Sequence, residues 1–131
     1  MGTVLSEAQL LEAIAAERAA GLTVAFANGC FDLLHVGHVR YLQASAAEAD
    51  RLVVAINDDA SVARLKGPGQ PVLPAEDRAE LVAALRGVDY VVTFGDATVE
   101  RLLRTIKPDV HCKGTDYTVD TVPERAVVFE Y

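Results

Sequence analysis

Hydrophobic positions along the chain change their period several times, and each change marks an element. Leu10, Leu11, Ile14 and Ala15 recur at helical spacing. They follow Ser6 and Gln9, a capping-box pair, and precede Gly21, a stop signal, so a helix is predicted there. Residues 22–27 read as a short buried strand that ends in the turn signal Asn28-Gly29. Val39, Leu42 and Ala46 share one face of a helix predicted over residues 36–49. Residues 52–56 are apolar throughout, as expected of a strand covered on both faces. Asp58 or Asp59 can cap a short helix through Leu65, and residues 66–71 form a loop. Pro74 opens a third long helix that ends near Arg86 and Gly87.

The remaining pattern predicts a strand over residues 88–94, a helix over 98–107 that stops before Pro108, and a short strand over 109–112. A loop over 113–117, a short helix over 122–126 and the start of a strand over 127–131 complete the reading. Strands alternating with helices argue for one α/β domain of Rossmann-like build, a parallel sheet with helices on both faces. In such sheets ligands bind outside the carboxyl ends of the strands. Three polar clusters fall at those ends: residues 28–38, 57–66 and 113–117.

Composition narrows the picture. The chain has 131 residues, of which 51% are hydrophobic, and it has no Trp, so Ala, Val, Leu and Ile must build the core. The net charge of −7 leaves no basic stripe for extended nucleic-acid binding, although local cations and backbone N–H groups can still hold a phosphate. The two cysteines, Cys30 and Cys112, have no zinc-like spacing and read as reduced thiols of a cytoplasmic protein. No apolar run approaches the length of a membrane span.

Chemistry concentrates in residues 28–38, Asn-Gly-Cys-Phe-Asp-Leu-Leu-His-Val-Gly-His. Neither common phosphate loop, GxxxxGK[ST] or GxGxxG, occurs anywhere in the chain. Instead a strand ends in a glycine turn, and His35 and His38 flank Gly37 where a helix begins. The first N–H groups of a helix lack internal partners, and the helix dipole favours an anion there. Gly37 admits close approach to the backbone, Gly29 serves the tight turn, and each imidazole can offer an N–H to a phosphate oxygen. Among the other polar residues, His111 and Cys30 read as structural, and Asp58 and Asp59 as caps rather than metal ligands. No metal-ligating residue is assigned.

This eleven-residue run resembles the signature of the cytidylyltransferase-like family, within the HIGH-type nucleotidyltransferases. The likeness extends over residues 22–131, through VVAINDD at 53–59, KGPGQPV at 66–72 and KGTDY at 113–117. Those later stretches are most similar to adenylyltransferase domains that form ADP-heptose from heptose 1-phosphate and ATP; cytidylyltransferases for glycerol 3-phosphate share the plan. The resemblance implies that His35, His38 and Lys66 are catalytic. It implies nucleotide contacts from Asn28, Gly29, Cys30, Phe31, Asp32, Gly37, His38, Lys113 and Asp116. Lys66, Arg78 and Asn57 would hold the acceptor or its phosphate.

The implied reaction transfers a nucleoside monophosphate from ATP or CTP to a small phosphorylated acceptor and releases pyrophosphate. A phosphomonoester has a second pKa near 6, so it is largely dianionic at neutral pH and needs no general base. Magnesium is expected with the triphosphate, and a homodimer is a further expectation from the family. The family pattern also implies a Ser/Thr-rich turn opening a final helix. No Ser follows Ser61, so the expectation is a single domain over residues 1–131 that lacks its last segment. A nucleotide-binding module without turnover is the alternative of a different class.

Overall fold

The computed structural model describes residues 2–112. In chain order these form β1 (Thr3–Val4), α1 (Glu7–Ala19), β2 (Val24–Gly29), α2 (Val36–Ala46), β3 (Arg51–Asn57), α3 (Asp59–Lys66), α4 (Ala75–Ala83), β4 (Tyr90–Phe94), α5 (Glu100–Ile106) and β5 (Val110–Cys112). The expected loop, helix and strand beyond residue 112 lie outside the described residues, as do Lys113 and Asp116.

The five strands form one sheet in the order β1-β4-β3-β2-β5, and every pairing is parallel. The pleat sends alternate side chains to opposite faces. Val24 and Phe26 of β2 join Val53 and Ala55 of β3 on the face that α1 and α5 cover, with Leu10, Ile14, Leu102 and Leu103. Ala25 and Ala27 join Leu52, Val54 and Ile56 on the other face, with Leu42 of α2 and Ala79 and Val82 of α4. Both faces of β3 are therefore apolar because both are covered. Each fully buried Val, Leu or Ile contributes about 1.5–3 kcal/mol, largely offset by lost chain entropy.

Helix ends follow the local chemistry. Ser6 caps α1 and makes the expected capping box with Gln9, at 3.2 and 3.0 Å. Asp58, not Asp59, caps α3 by accepting from the Ser61 N–H at 2.8 Å. Acidic side chains fasten the starts of the strands: Asp109 accepts from the Val24 N–H, Asp50 from Thr23 and Asp89 from the Leu52 N–H.

Boundaries differ in places. Asn28 and Gly29 stay in β2, in register with Ala55 and Ile56, so the turn begins two residues later than its sequence signal. The second helix stops at Ala46, because Ala47 closes it with bonds to Gln43 and Ala44. Pro74 sits at the cap position of α4 rather than inside it, and α4 ends at Ala83. β1 escapes the sequence pattern because two exposed residues carry no alternation to read.

β2 lies between β3, which follows it in the chain, and β5, the last strand among the described residues. Strand order reverses there, and the carboxyl end of β2 opens at the reversal. That is where a sheet of this kind leaves a crevice for a ligand.

Candidate functional site

The site begins where β2 ends. Phe31 takes a left-handed conformation, φ 50°, that costs a non-glycine residue about 1–3 kcal/mol. Burial of its ring offsets the strain. The ring lies over Gly29, where a β-carbon would stand 3.0 Å from it. It also meets His38 edge-on, with centroids 5.4 Å apart, and stacks with Tyr41 at 6.5 Å. The Tyr41 hydroxyl donates to the Cys112 carbonyl at 2.6 Å. One aromatic column thus joins the motif turn, α2 and β5.

α2 is capped by its own histidines. His35 is the N-cap residue, and its Nδ1 accepts from the Gly37 N–H at 3.0 Å. His38 reaches back, and its Nδ1 accepts from the His35 N–H at 3.3 Å. A ring nitrogen that accepts carries no proton, so each neutral imidazole bears its proton on Nε2. The rings stack with centroids 3.9 Å apart. The two donors expected from sequence are therefore Nε2–H groups, oriented as a pair by backbone amides. Gly37 has a more specific reason than ligand access: a β-carbon there would stand 2.7 Å from Cε1 of His35.

Lys66 is the last residue of α3 and is exposed. It lies near enough for its charge to act on Cys30 and Asp32. His35, Gly37 and His38 thus share one helix start, and Lys66 lies within electrostatic reach of the same motif turn.

Other residues expected to touch ligands are bonded within the protein. The Asp32 carboxylate is buried and accepts from the Val72 and Leu73 amides at 2.7 and 2.8 Å. Burial alone would raise its pKa, but those amides, with the charges of Arg78 and Lys66, hold it below the usual carboxylate range. Both oxygens are engaged, so Asp32 shapes the turn and ties it to the loop before α4. Asn57 is buried too; its Nδ2 donates to Ser61 Oγ at 2.8 Å and its Oδ1 accepts from the Cys30 thiol at 3.7 Å. It thereby tethers the end of β3 to α3 and to the motif turn. Asn28 Oδ1 lies 3.0 Å from His111 Nε2, and the Phe26 ring meets that imidazole edge-on. Burial pushes the Cys30 thiol up, as for a packing residue.

Arg78 departs furthest from expectation. Its side chain is fully buried in α4. Nε donates to the Leu73 carbonyl at 2.9 Å, and Nη1 donates to the carbonyls of Cys30 and Asn57, each at 2.7 Å. Nη2 pairs with the half-exposed Asp59 carboxylate at 2.7 Å. The guanidinium is thus bonded to the protein itself on every nitrogen.

Two contributors went unread in the sequence. Tyr41 lies three residues after His38, so helical spacing could have placed the two on one face of α2. The Val72 and Leu73 amides left no signal, because any residue but proline supplies an N–H.

An HxGH helix start stands at the reversal of a parallel sheet, the place where α/β domains of this build bind ligands. The chain belongs to the cytidylyltransferase-like family, whose model matches residues 26–129. It is 54% identical over 128 residues to the bifunctional protein HldE of Pseudomonas entomophila, covering 98% of this chain and 27% of that protein. It is 55% identical over 126 residues to HldE of Gluconacetobacter diazotrophicus, covering 96% of this chain and 26% of the relative. The chain therefore spans about a quarter of the length of these curated relatives. A solved structure of the lipopolysaccharide core biosynthesis protein from Thermoplasma volcanium superposes with a TM-score of 0.62 at 32% identity, over 70% of this chain and 73% of that one.

Proposed function

We propose that this domain is an adenylyltransferase: it transfers AMP from ATP to a phosphorylated sugar such as heptose 1-phosphate and releases pyrophosphate. One observation carries the reading. The His35 and His38 rings are held side by side with Nε2 as the donor nitrogen, at the carboxyl end of β2. Likeness to HldE proteins over nearly the whole chain, and to a lipopolysaccharide core biosynthesis protein, supports a sugar acceptor.

In this reading a non-bridging oxygen of the acceptor phosphate attacks the α-phosphorus of ATP. The new P–O bond forms as the bond to the β-phosphate oxygen breaks, and the electron pair leaves with pyrophosphate. The acceptor arrives as a dianion, so no base is required. The protein supplies alignment and positive field where charge develops. The Nε2–H groups of His35 and His38 face the triphosphate, and Lys66 adds a cation from the end of α3. Lys113 and Asp116 remain proposed nucleotide contacts.

Magnesium fits this donor set only as a companion of the triphosphate. Both oxygens of Asp32, the carboxylate within the motif, are committed to amides. Phosphate oxygens and water would hold the ion, which supplies neutralisation of the triphosphate charge. Among the described residues no helix is long and apolar enough to cross a membrane. A cytoplasmic homodimer is the proposed setting.

The test is pyrophosphate release with ATP against CTP, across heptose 1-phosphate and glycerol 3-phosphate, repeated with His35→Ala and His38→Ala. ATP with the sugar phosphate is expected to give turnover, and each alanine to lower it on the order of a hundred- to thousandfold. Turnover with CTP and glycerol 3-phosphate alone would establish the cytidylyltransferase reading. Nucleotide binding without pyrophosphate release from any pair would leave a binding module.

A further inference from the structure

We propose that Arg78 is a positioning residue, whose guanidinium sets the relative placement of the motif turn, the end of β3 and the loop that follows Lys66. The inference rests on the proposed transfer reaction only for its kinetic readout.

Arg78 has no surface from which to reach a substrate. Its partners belong to three stretches of chain, Asn57 and Asp59 lying on either side of the β3–α3 junction. Cys30 is the first residue after β2, Asn57 ends β3, Leu73 precedes α4, and Asp59 begins α3. Three of the four contacts are backbone carbonyls, so the clamp fixes main chain rather than side chains. From the opposite direction Asp32 takes the Val72 and Leu73 amides. Leu73 is thus gripped through its N–H by the motif turn and through its carbonyl by Arg78.

A buried guanidinium is an expensive way to fill space. Charged groups in a core carry a desolvation penalty, and apolar side chains of similar volume are often as stabilising. Here the planar fork does what an apolar group cannot: it spans several acceptors at fixed angles. Those acceptors flank the residues proposed for the chemistry. Cys30 adjoins Phe31, whose ring supports His38, and the loop ending at Leu73 starts next to Lys66.

The decisive substitution is Arg78→Lys. A phosphate ligand survives exchange for another cation in large part, because lysine binds phosphate as a point charge. A clamp does not, since one ammonium cannot span three carbonyls and a carboxylate. Arg78→Lys and Arg78→Met are expected to lower kcat on the order of a hundredfold, as misplacement by about an ångström does. Nucleotide affinity by calorimetry is expected to stay within about threefold, since no contact to nucleotide is lost. In a His38→Ala background Arg78→Lys should cost less than about threefold more, because the two act through the same group.

Melting curves establish that each variant is folded at the assay temperature. If neither Arg78 variant folds, Asp32→Asn loosens the other grip on Leu73 and is expected to show the same split. A near wild-type kcat in Arg78→Lys, or in Asp32→Asn when that variant is needed, would overturn the proposal. So would a tenfold or larger loss of nucleotide affinity at unchanged kcat, or full multiplicativity with His38→Ala. Should the wild-type chain release no pyrophosphate from any pair, the functional reading fails by itself. Nitrogen NMR of the imidazoles then reads the clamp: His38 signals shift in Arg78→Lys if it positions the turn, and stay in place if it does not.

Discussion

Gly37 lies directly beneath the His35 imidazole, so close that a β-carbon would stand 2.9 Å from Nδ1. A methyl group there forces the ring off its cap while leaving the helix intact. Alanine also favours helix over glycine by about 0.5–1 kcal/mol. The lost cap, about 0.5–2 kcal/mol, opposes that gain, so Gly37→Ala is expected to shift the melting temperature by only a few degrees. Pyrophosphate release should fall on the order of a hundredfold, the loss typical of one misplaced donor. Equal falls in stability and activity would show that the ring and the glycine are not coupled.

His35 combines a cap with a donor, and the two roles separate in one substitution. Asparagine is among the best N-cap residues, and replacing a good cap by alanine costs about 0.5–2 kcal/mol. His35→Asn should melt at or above the His35→Ala temperature, yet remain as inactive as His35→Ala. Recovery of turnover by asparagine would mean that the cap, not the Nε2 donor, limits the reaction.

Acid should destabilise the domain over a defined range. The Thr23 amide and hydroxyl hold Asp50 below the usual carboxylate range, the Arg101 side chain does so for Asp96, and the Tyr90 hydroxyl does so for Glu17. Asp32 is lowered as well: burial opposes ionisation there, and the amides of Val72 and Leu73 outweigh it. A carboxylate whose folded pKa is depressed contributes stability above its unfolded pKa, about 4, and loses it as pH falls through the folded value. The melting temperature is expected to be insensitive to these groups above about pH 5 and to drop steeply below about pH 4. Asp50→Asn should make that drop shallower. A midpoint that rises on acidification would contradict the assignment.

Ser6 lies far from the crevice in sequence and function. Loss of its cap in Ser6→Ala is expected to cost about 1 kcal/mol in chemical denaturation and to leave kcat unchanged. A change in kcat would tie α1 to the site.

Cys30 sits in the motif but has the wrong chemistry for a nucleophile. Burial raises its thiol pKa against the smaller lowering effects of Lys66 and Arg78, so little thiolate exists near neutral pH. Alkylation by iodoacetamide near neutral pH should be slower than for free cysteine, and Cys30→Ala should retain pyrophosphate release. Rapid labelling with loss of activity would reverse that view.

Much of this protein could be read from residue order alone. Alternating apolar runs and helical faces imply a parallel α/β sheet, because a strand buried on both faces leaves no polar position in its pattern. The His35-Val36-Gly37-His38 turn was legible too, since a strand end, a glycine and two histidines at one helix start fall within eleven consecutive residues. What lay beyond sequence was the assignment of long-range partners. The bonds of Arg78 to Cys30, Asn57 and Asp59, of Asn57 to the Cys30 thiol, and of Asp32 to Val72 and Leu73 join residues 19 to 48 positions apart. Local spacing describes which residues share a face, but not which carbonyl a guanidinium meets. That choice is made only when β2, β3 and α4 pack and bury these polar groups together, because each must then find a partner within the protein.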